Sequence, residues 1–234
     1  MKVYNYLFPE KNGGIMAKII FFDINGTIIK RDQRTDIPYE MAIDQFLQIK
    51  DGMAGVDTSA RSDKDVFREV LQNCGKKFSS QLWHDFLQVY QAFLEKYKKT
   101  DIWRANADVI EFLAQLEKYD YKLALISGEL SIGAKFKLQR LGVWHYFCCG
   151  GFGEDGLQRF EIADAALVRA EKLYHQKFDK IIVIGDTILD IKTARHLQGK
   201  IISIATGSNS YKELAEHHPD LLVNRFSEID LSNI

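Results

Sequence analysis

Cysteine and proline are scarce in this chain, at 3 each among 234 residues. Cys74, Cys148 and Cys149 are odd in number and lack CxxC or Cys/His spacing, which excludes a disulfide framework and a zinc finger and predicts a reducing, cytoplasmic setting. Cys148 and Cys149 follow Tyr146 and Phe147 in an apolar run and read as buried structural thiols. Few prolines, with 46% hydrophobic and 12% aromatic residues, exclude a disordered chain. No apolar run approaches the roughly 18 residues of a membrane span, and no apolar secretory segment opens the sequence. Neither sign of charge is in excess: 31 Lys and Arg against 32 Asp and Glu leave −1. Bulk attraction to nucleic acid or an anionic membrane is therefore excluded.

At roughly 150 residues per domain, the length predicts one domain and a half. Four continuous apolar runs, Lys18 to Phe22, Lys122 to Ile126, Lys180 to Ile184 and Lys200 to Ala205, have the pattern of parallel strands buried on both faces. Helical patterns lie between them at Val109 to Leu116, Ala134 to Leu141, Ile162 to Leu173 and Ile188 to Leu197. The alternation predicts an α/β fold, a Rossmann-like parallel sheet with helices on both faces. It breaks between residues 35 and 103, where Tyr39 to Ile49, Lys64 to Asn73 and Ser79 to Tyr97 read as amphipathic helices, the last capped by Ser79 or Ser80. This half-domain is expected to be an inserted α-helical cap domain (35–103) packed over one edge of an α/β core domain (17–34 and 104–234). Residues 1–16 read as an N-terminal tail.

In open parallel sheets the ligand site lies beyond the carboxyl ends of the strands. Three such ends carry Asp23-Ile24-Asn25-Gly26-Thr27, Ser127-Gly128 and Gly185-Asp186-Thr187-Ile188-Leu189-Asp190. Converging carboxylates Asp23, Asp186 and Asp190 require a cation, and hard oxygen donors favour magnesium. A neutralised Asp23 is a nucleophile toward phosphorus. Gly26 permits a tight turn with exposed amides, while Ser127 and Gly128 offer a hydroxyl and amides to phosphoryl oxygens. Taken singly, each Asp reads equally well as a helix cap.

These residues resemble the haloacid dehalogenase-like hydrolase superfamily, near its phosphoglycolate-phosphatase-like branch. The first motif, Asp-x-Asp-Gly-Thr, matches Asp23, Asn25, Gly26 and Thr27 with one departure; the second matches Ser127, and the acidic fourth matches Gly185-Asp186 and Asp190. The resemblance implies Mg²⁺ held by Asp23, the backbone carbonyl of Asn25, Asp186 and, through water, Asp190. It also implies in-line attack by Asp23 on a small phosphorylated metabolite. The basic third motif is matched by Arg159 at a helix start, with Lys172 as competitor. Arg61, in Ala60-Arg61-Ser62-Asp63, resembles the family's cap loop and is a candidate anion ligand; Asp63 either caps the next helix or positions Arg61. Gly26, Thr27, Ser127, Gly128, Arg159 and Arg61 make up the expected substrate-binding set. No histidine cluster suggests a ligand site, and the oligomeric state is not legible.

Asn25 stands where the resemblance implies a general acid and base, and Asn exchanges no proton. Losing such a group costs roughly 100- to 10,000-fold in rate. The expected function is a Mg-dependent phosphomonoester hydrolase weakened at Asn25. The alternatives are a phosphometabolite-binding module that has dropped turnover and a phosphomutase.

Overall fold

A computed structural model describes residues 17–58, 61–119 and 121–231. The expected tail, and Ser59 and Ala60 ahead of Arg61, lie outside the described residues. The strands are β1 (Lys18–Phe22), β2 (Tyr121–Ile126), β3 (Cys149–Gly151), β4 (Lys180–Gly185), β5 (Lys200–Ile204) and β6 (Leu221–Val223). They form one parallel sheet in the order β3-β2-β1-β4-β5-β6. The four apolar runs are β1, β2, β4 and β5 to within one residue. The edge strands β3 and β6 have only three residues each, too few for a pattern, and are strands by virtue of pairing with β2 and β5.

Side chains alternate across the sheet. Ile20 and Phe22 join one core with Phe112 and Leu113 of α4 (Val109–Leu116) and Leu138 of α5 (Ser131–Arg140). Ile19 and Phe21 join the opposite core with Ile162 and Ala166 of α6 (Arg159–Tyr174) and Ile191 and Ala194 of α7 (Ile188–His196). A short helix, α8 (Tyr211–Glu216), precedes β6.

Between β1 and α4 come α1 (Ile37–Leu47), α2 (Asp63–Asn73) and α3 (Ser80–Lys96). Their starts are set by serine caps: Ser62 Oγ accepts the Asp65 N–H at 3.2 Å and Ser79 Oγ accepts the Leu82 N–H at 3.2 Å. Asp63 is therefore not the cap of α2. Tyr39, Phe67, Phe86, Tyr90 and Leu94 build a separate core, in which the Phe67 and Phe86 rings stack at 4.3 Å and Tyr39 stands edge-on to Phe86 at 5.4 Å. Phe86→Ala should cost about 3–5 kcal/mol, the usual loss for emptying a buried aromatic site, measured by denaturant unfolding.

These helices lie over the carboxyl ends of β2 and β3, not along a sheet edge. The Asp63 N–H donates to Gly128 O at 2.8 Å, the Leu130 N–H donates to Asp63 Oδ2 at 2.8 Å, and Lys64 Nζ donates to Glu154 O at 3.1 Å. The two connections, at 30–35 and 99–104, run side by side: the Lys30 N–H donates to Arg104 O at 2.8 Å, and Asp32 pairs with both Arg34 and Arg104.

The cysteine expectation is corrected. Cys148 is exposed and Cys149 half-buried, because Phe147 turns into the core and Cys148 lies in the bend between it and the edge strand β3. Their sulfurs lie 3.5 Å apart. The hydrogen bond with Cys149, working against burial, brings the Cys148 thiol down to about 6. The thiolate therefore predominates above about pH 6. Iodoacetamide should alkylate Cys148 ahead of Cys74 and Cys149, its rate rising through about pH 6 and then levelling, as read by peptide mass mapping.

Candidate active site

The chain moves from β1 to β2 on one side, while β4 lies on the other, so the crevice of the sheet opens at the carboxyl ends of β1 and β4. The strands are in register there: Phe22 pairs with Ile184, and the Asp23 N–H donates to Ile184 O at 2.9 Å. This register sets Asp23 beside Asp186. The first turn of α7 then brings in Asp190, so that carboxylate oxygens of all three buried residues lie within 4.8 Å of one another.

Asp186 sits in a cradle only glycines permit. A Cβ at Gly26, whose φ is +94°, would stand 2.5 Å from Asp186 Oδ2, and one at Gly207 would stand 1.8 Å away. Thr27 Oγ1 donates to Asp186 Oδ1 at 3.0 Å and the Ser208 N–H to Oδ2 at 2.7 Å. The Gly26 N–H is occupied by Ile29 O at 2.8 Å. Gly26 thus supplies the turn and not the exposed amide expected of it, and Thr27 serves Asp186. Asp190 Oδ2 closes the capping box of α7 by accepting the Thr187 N–H at 3.0 Å. Helix capping thus accounts for one oxygen of Asp190 and for neither Asp23 nor Asp186.

Arg159 is the first residue of α6, and its Nη2 donates to Asp23 Oδ1 at 2.6 Å and to Asp190 Oδ1 at 2.7 Å. Its Nε is buried without a hydrogen-bond partner. Lys172, the competitor, is exposed in the last turn of the same helix.

One guanidinium faces three buried carboxylates. Burial pushes the Asp23 carboxyl well above its ordinary range, Arg159 pulls it back, and Asp190 and Asp186 push it up again. Asp186 is pushed to about 6, by burial first and then by Asp190. For Arg159 burial is outweighed by Asp190 and Asp23, which hold the guanidinium charged. Surplus negative charge among oxygen-only donors in a glycine-walled cradle fits a hard divalent cation.

Ser127, only 2% exposed, follows β2, with its N–H on Gly151 O at 3.0 Å and its Oγ accepting the Glu129 N–H at 3.3 Å. A Cβ at Gly128 would meet Arg61 O at 2.3 Å, so glycine is what lets the helices close onto this strand end. Asn25 Nδ2 donates to Glu129 Oε2 at 3.3 Å, and Glu129 Oε1 pairs with Lys137 Nζ at 2.6 Å. Both partners of that pair are buried: burial pushes the Glu129 carboxyl up and Lys137 opposes it.

These groups border a cleft of about 630 Å³, with Asp23, Asn25, Ser127 and Arg159 on the sheet side and Tyr39, Arg61 and Tyr90 on the helical side. Arg61 borders it, but its guanidinium is occupied by Asp65 at 2.7 Å and by Glu69. An anion at Arg61 would have to displace those two carboxylates.

Sequence reasoning missed Glu129, Lys137 and Asn106. Glu129 lies two residues past Ser127 at the same strand end, so the rule that found Ser127 reaches it too. Lys137 had no signal, since a lysine on an amphipathic helix reads as solvated. Asn106 Nδ2 donates to Gly26 O at 2.8 Å and Thr27 O at 2.7 Å, buttressing the first-motif turn from the far side of the inserted helices.

Residues 17–198 match the family model described as haloacid dehalogenase-like hydrolase. The chain is 23% identical over 204 residues, 87% of its length and 89% of the relative's, to the protein named "Putative pyrophosphatase PpaX" of Caldanaerobacter subterraneus subsp. tengcongensis. It is 27% identical over 121 residues, 52% of this chain and 53% of the relative, to a phosphoglycolate phosphatase of Nitrosococcus oceani. Among solved structures, that of a predicted phosphoglycolate phosphatase from Haemophilus somnus superposes with a TM-score of 0.63 at 17% identity, covering 92% of this chain and 97% of that one. A hydrolase from Pseudomonas syringae superposes at 0.64 and 18%, covering 88% and 92%. No described helix is long and apolar enough to cross a membrane. With the family model matched over residues 17–198, well over half of its length, this chain belongs to the haloacid dehalogenase-like hydrolase family.

Proposed function

We propose that the chain hydrolyses a small phosphorylated metabolite through Asp23, with Mg²⁺ as cofactor. The observation that carries this reading is the clustering of Asp23, Asp186 and Asp190 at the sheet's switch point, with Arg159 bonded to Asp23 and Asp190. Magnesium, when held by Asp23, the backbone carbonyl of Asn25, Asp186 and Asp190, supplies positive charge against the phosphoryl oxygens.

The chain's own residues do the rest. Arg159, the Ser127 hydroxyl and the Gly128 backbone would hold the phosphoryl oxygens. A carboxylate oxygen of Asp23 attacks phosphorus, the bond to the leaving oxygen breaks with its electron pair, and an aspartyl phosphate forms. Water then attacks phosphorus and the electron pair returns to the Asp23 carboxylate. The helices α1–α3 would act as a cap that excludes bulk water from the cleft, opening about the paired connections at 30–35 and 99–104. Asn25 neither protonates the leaving oxygen nor deprotonates the water, so breakdown of the aspartyl phosphate is expected to be slow.

The test is phosphate release from a metabolite panel with magnesium and with a chelator, together with mass spectrometry after acid quenching. Metal-dependent release and a phosphoryl adduct on the peptide carrying Asp23 are expected. Release indifferent to the chelator, or an adduct on another residue, would overturn the reading. One observation, Asn25 itself, favours a second reading, a phosphometabolite-binding module. That reading requires metal-dependent binding of phosphate compounds with no release.

A further inference from the structure

Residue 25 is held in one orientation by a buried chain of side chains that the proposed mechanism does not use. Lys137 Nζ lies 2.6 Å from Glu129 Oε1, both side chains being only 3% exposed, and Glu129 Oε2 takes the Asn25 Nδ2–H at 3.3 Å. A carboxylate paired with an ammonium has no hydrogen to give, so the nitrogen of the amide, not its oxygen, must face Glu129. The carbonyl Oδ1 of Asn25 is left buried with no hydrogen-bond partner, in a residue that borders the cleft. An amide in solution turns freely; this one has an N–H held by Glu129, which fixes the direction its unpartnered acceptor faces.

We infer that the Lys137–Glu129 pair is a positioning device that locks Asn25 as a hydrogen acceptor. We further infer that the chain acts on phosphoryl compounds whose leaving oxygen departs without a proton, namely acyl phosphates, phosphoanhydrides and aryl phosphates, and not on alkyl esters. This rests on the phosphatase reading above and gives it a substrate class.

The chemistry balances without a general acid. When Asp23 attacks, the breaking P–O bond leaves its electron pair on the departing oxygen. A carboxylate, phosphate or phenolate is stable with that charge, whereas an alkoxide is not and needs a proton that neither the engaged Nδ2 nor the free Oδ1 of Asn25 supplies. In the second step one water adds to phosphorus, the P–O bond to Asp23 breaks with its electron pair returning to the carboxylate, and the surplus proton of the water passes to solvent. The free Oδ1 serves this step by accepting a hydrogen bond from that water, which orients it. Lys137 and Glu129 touch no reacting atom; they act through Asn25.

The experiment measures kcat and KM by phosphate release, with magnesium, for acetyl phosphate, a series of aryl phosphates of rising leaving-group pKa, and glycerol phosphate. The chain is compared with Glu129→Gln and Asn25→Asp. The expected kcat/KM falls by at least about 100-fold from the acyl and best aryl substrates to glycerol phosphate, the low end of what a general acid supplies, and Asn25→Asp flattens the series. Glu129→Gln, which can donate as well as accept, lets the amide turn and lowers kcat on the acyl and aryl substrates by about tenfold with kcat/KM unchanged, the size of one lost hydrogen bond. Should Glu129→Gln fail to fold, the leaving-group dependence of the other two proteins still decides.

Similar kcat/KM for glycerol phosphate and the best aryl phosphate would mean a proton donor is in place and would overturn the inference while leaving the phosphatase reading standing. A folded Glu129→Gln with unchanged kcat would overturn the positioning role. No release from any substrate, by the chain or by Asn25→Asp, would remove the phosphatase reading and this inference with it.

Discussion

Asp23→Asn should abolish phosphate release, lowering kcat by about 10⁴-fold or more, the scale on which enzymes lose activity with their nucleophile. The substitution keeps the shape of the side chain and removes only its charge and its capacity to attack phosphorus. Stability should not fall with activity. Asp23 is one of three buried carboxylates crowded around one guanidinium, and burial and its like-charged neighbours already push its carboxyl well above the usual range. Removing that charge relieves repulsion, and Arg159 keeps Asp190 at 2.7 Å. The metal-free variant should therefore melt no lower than the parent chain, while its stabilisation by added magnesium shrinks because one ligand is gone. Retained phosphate release in a folded Asp23→Asn protein would refute Asp23 as nucleophile. Loss of activity with a collapsed melting temperature would mean only that Asp23 is structural.

Asn25→Asp is expected to work in the opposite direction, raising the rate on alkyl phosphate esters by roughly 100- to 10,000-fold, the contribution typical of a positioned acid and base. The surroundings favour this role. Asn25 Nδ2 lies 3.3 Å from Glu129 Oε2, and two carboxyl groups at that separation cannot both ionise easily, so one proton is retained between them. A carboxyl kept protonated beside the leaving oxygen is what general acid catalysis requires. The gain in kcat/KM should be smallest for acyl and aryl phosphates, whose leaving groups need no proton. Phosphate release from both substrate classes by the two proteins gives the answer; a variant no faster on alkyl esters would show that residue 25 does not limit turnover.

Most of the fold was legible because buried parallel strands need continuous apolar runs. Lys18 to Phe22 and Lys180 to Ile184 cannot be satisfied outside a two-faced sheet. What escaped was short or paired only in three dimensions. Cys149–Gly151 contains two glycines and has strand character only against β2. Phe147-Cys148-Cys149 reads as one apolar run, yet only Phe147 is in the core and Cys148 faces outward.

By itself the sequence determined which chemistry could be assembled. Three aspartates, a serine and an arginine stand at strand ends and a helix start, and Asn25 occupies a place where a proton-transferring group is expected. Such residue types are covalent facts, and no folding alters them. The tertiary structure decided which of those groups are free to act. Arg61 and Arg159 are equivalent as residues, but α2 pairs one with Asp65 and Glu69 while α6 delivers the other to Asp23 and Asp190. Nothing in the sequence joins Lys137 to Glu129, and burial between α5 and the sheet turns them into the pair that orients Asn25. The physical reason is the same in each case: a charged side chain's role is set by the partner it finds once water is excluded, and that partner is chosen by packing between segments far apart in the chain.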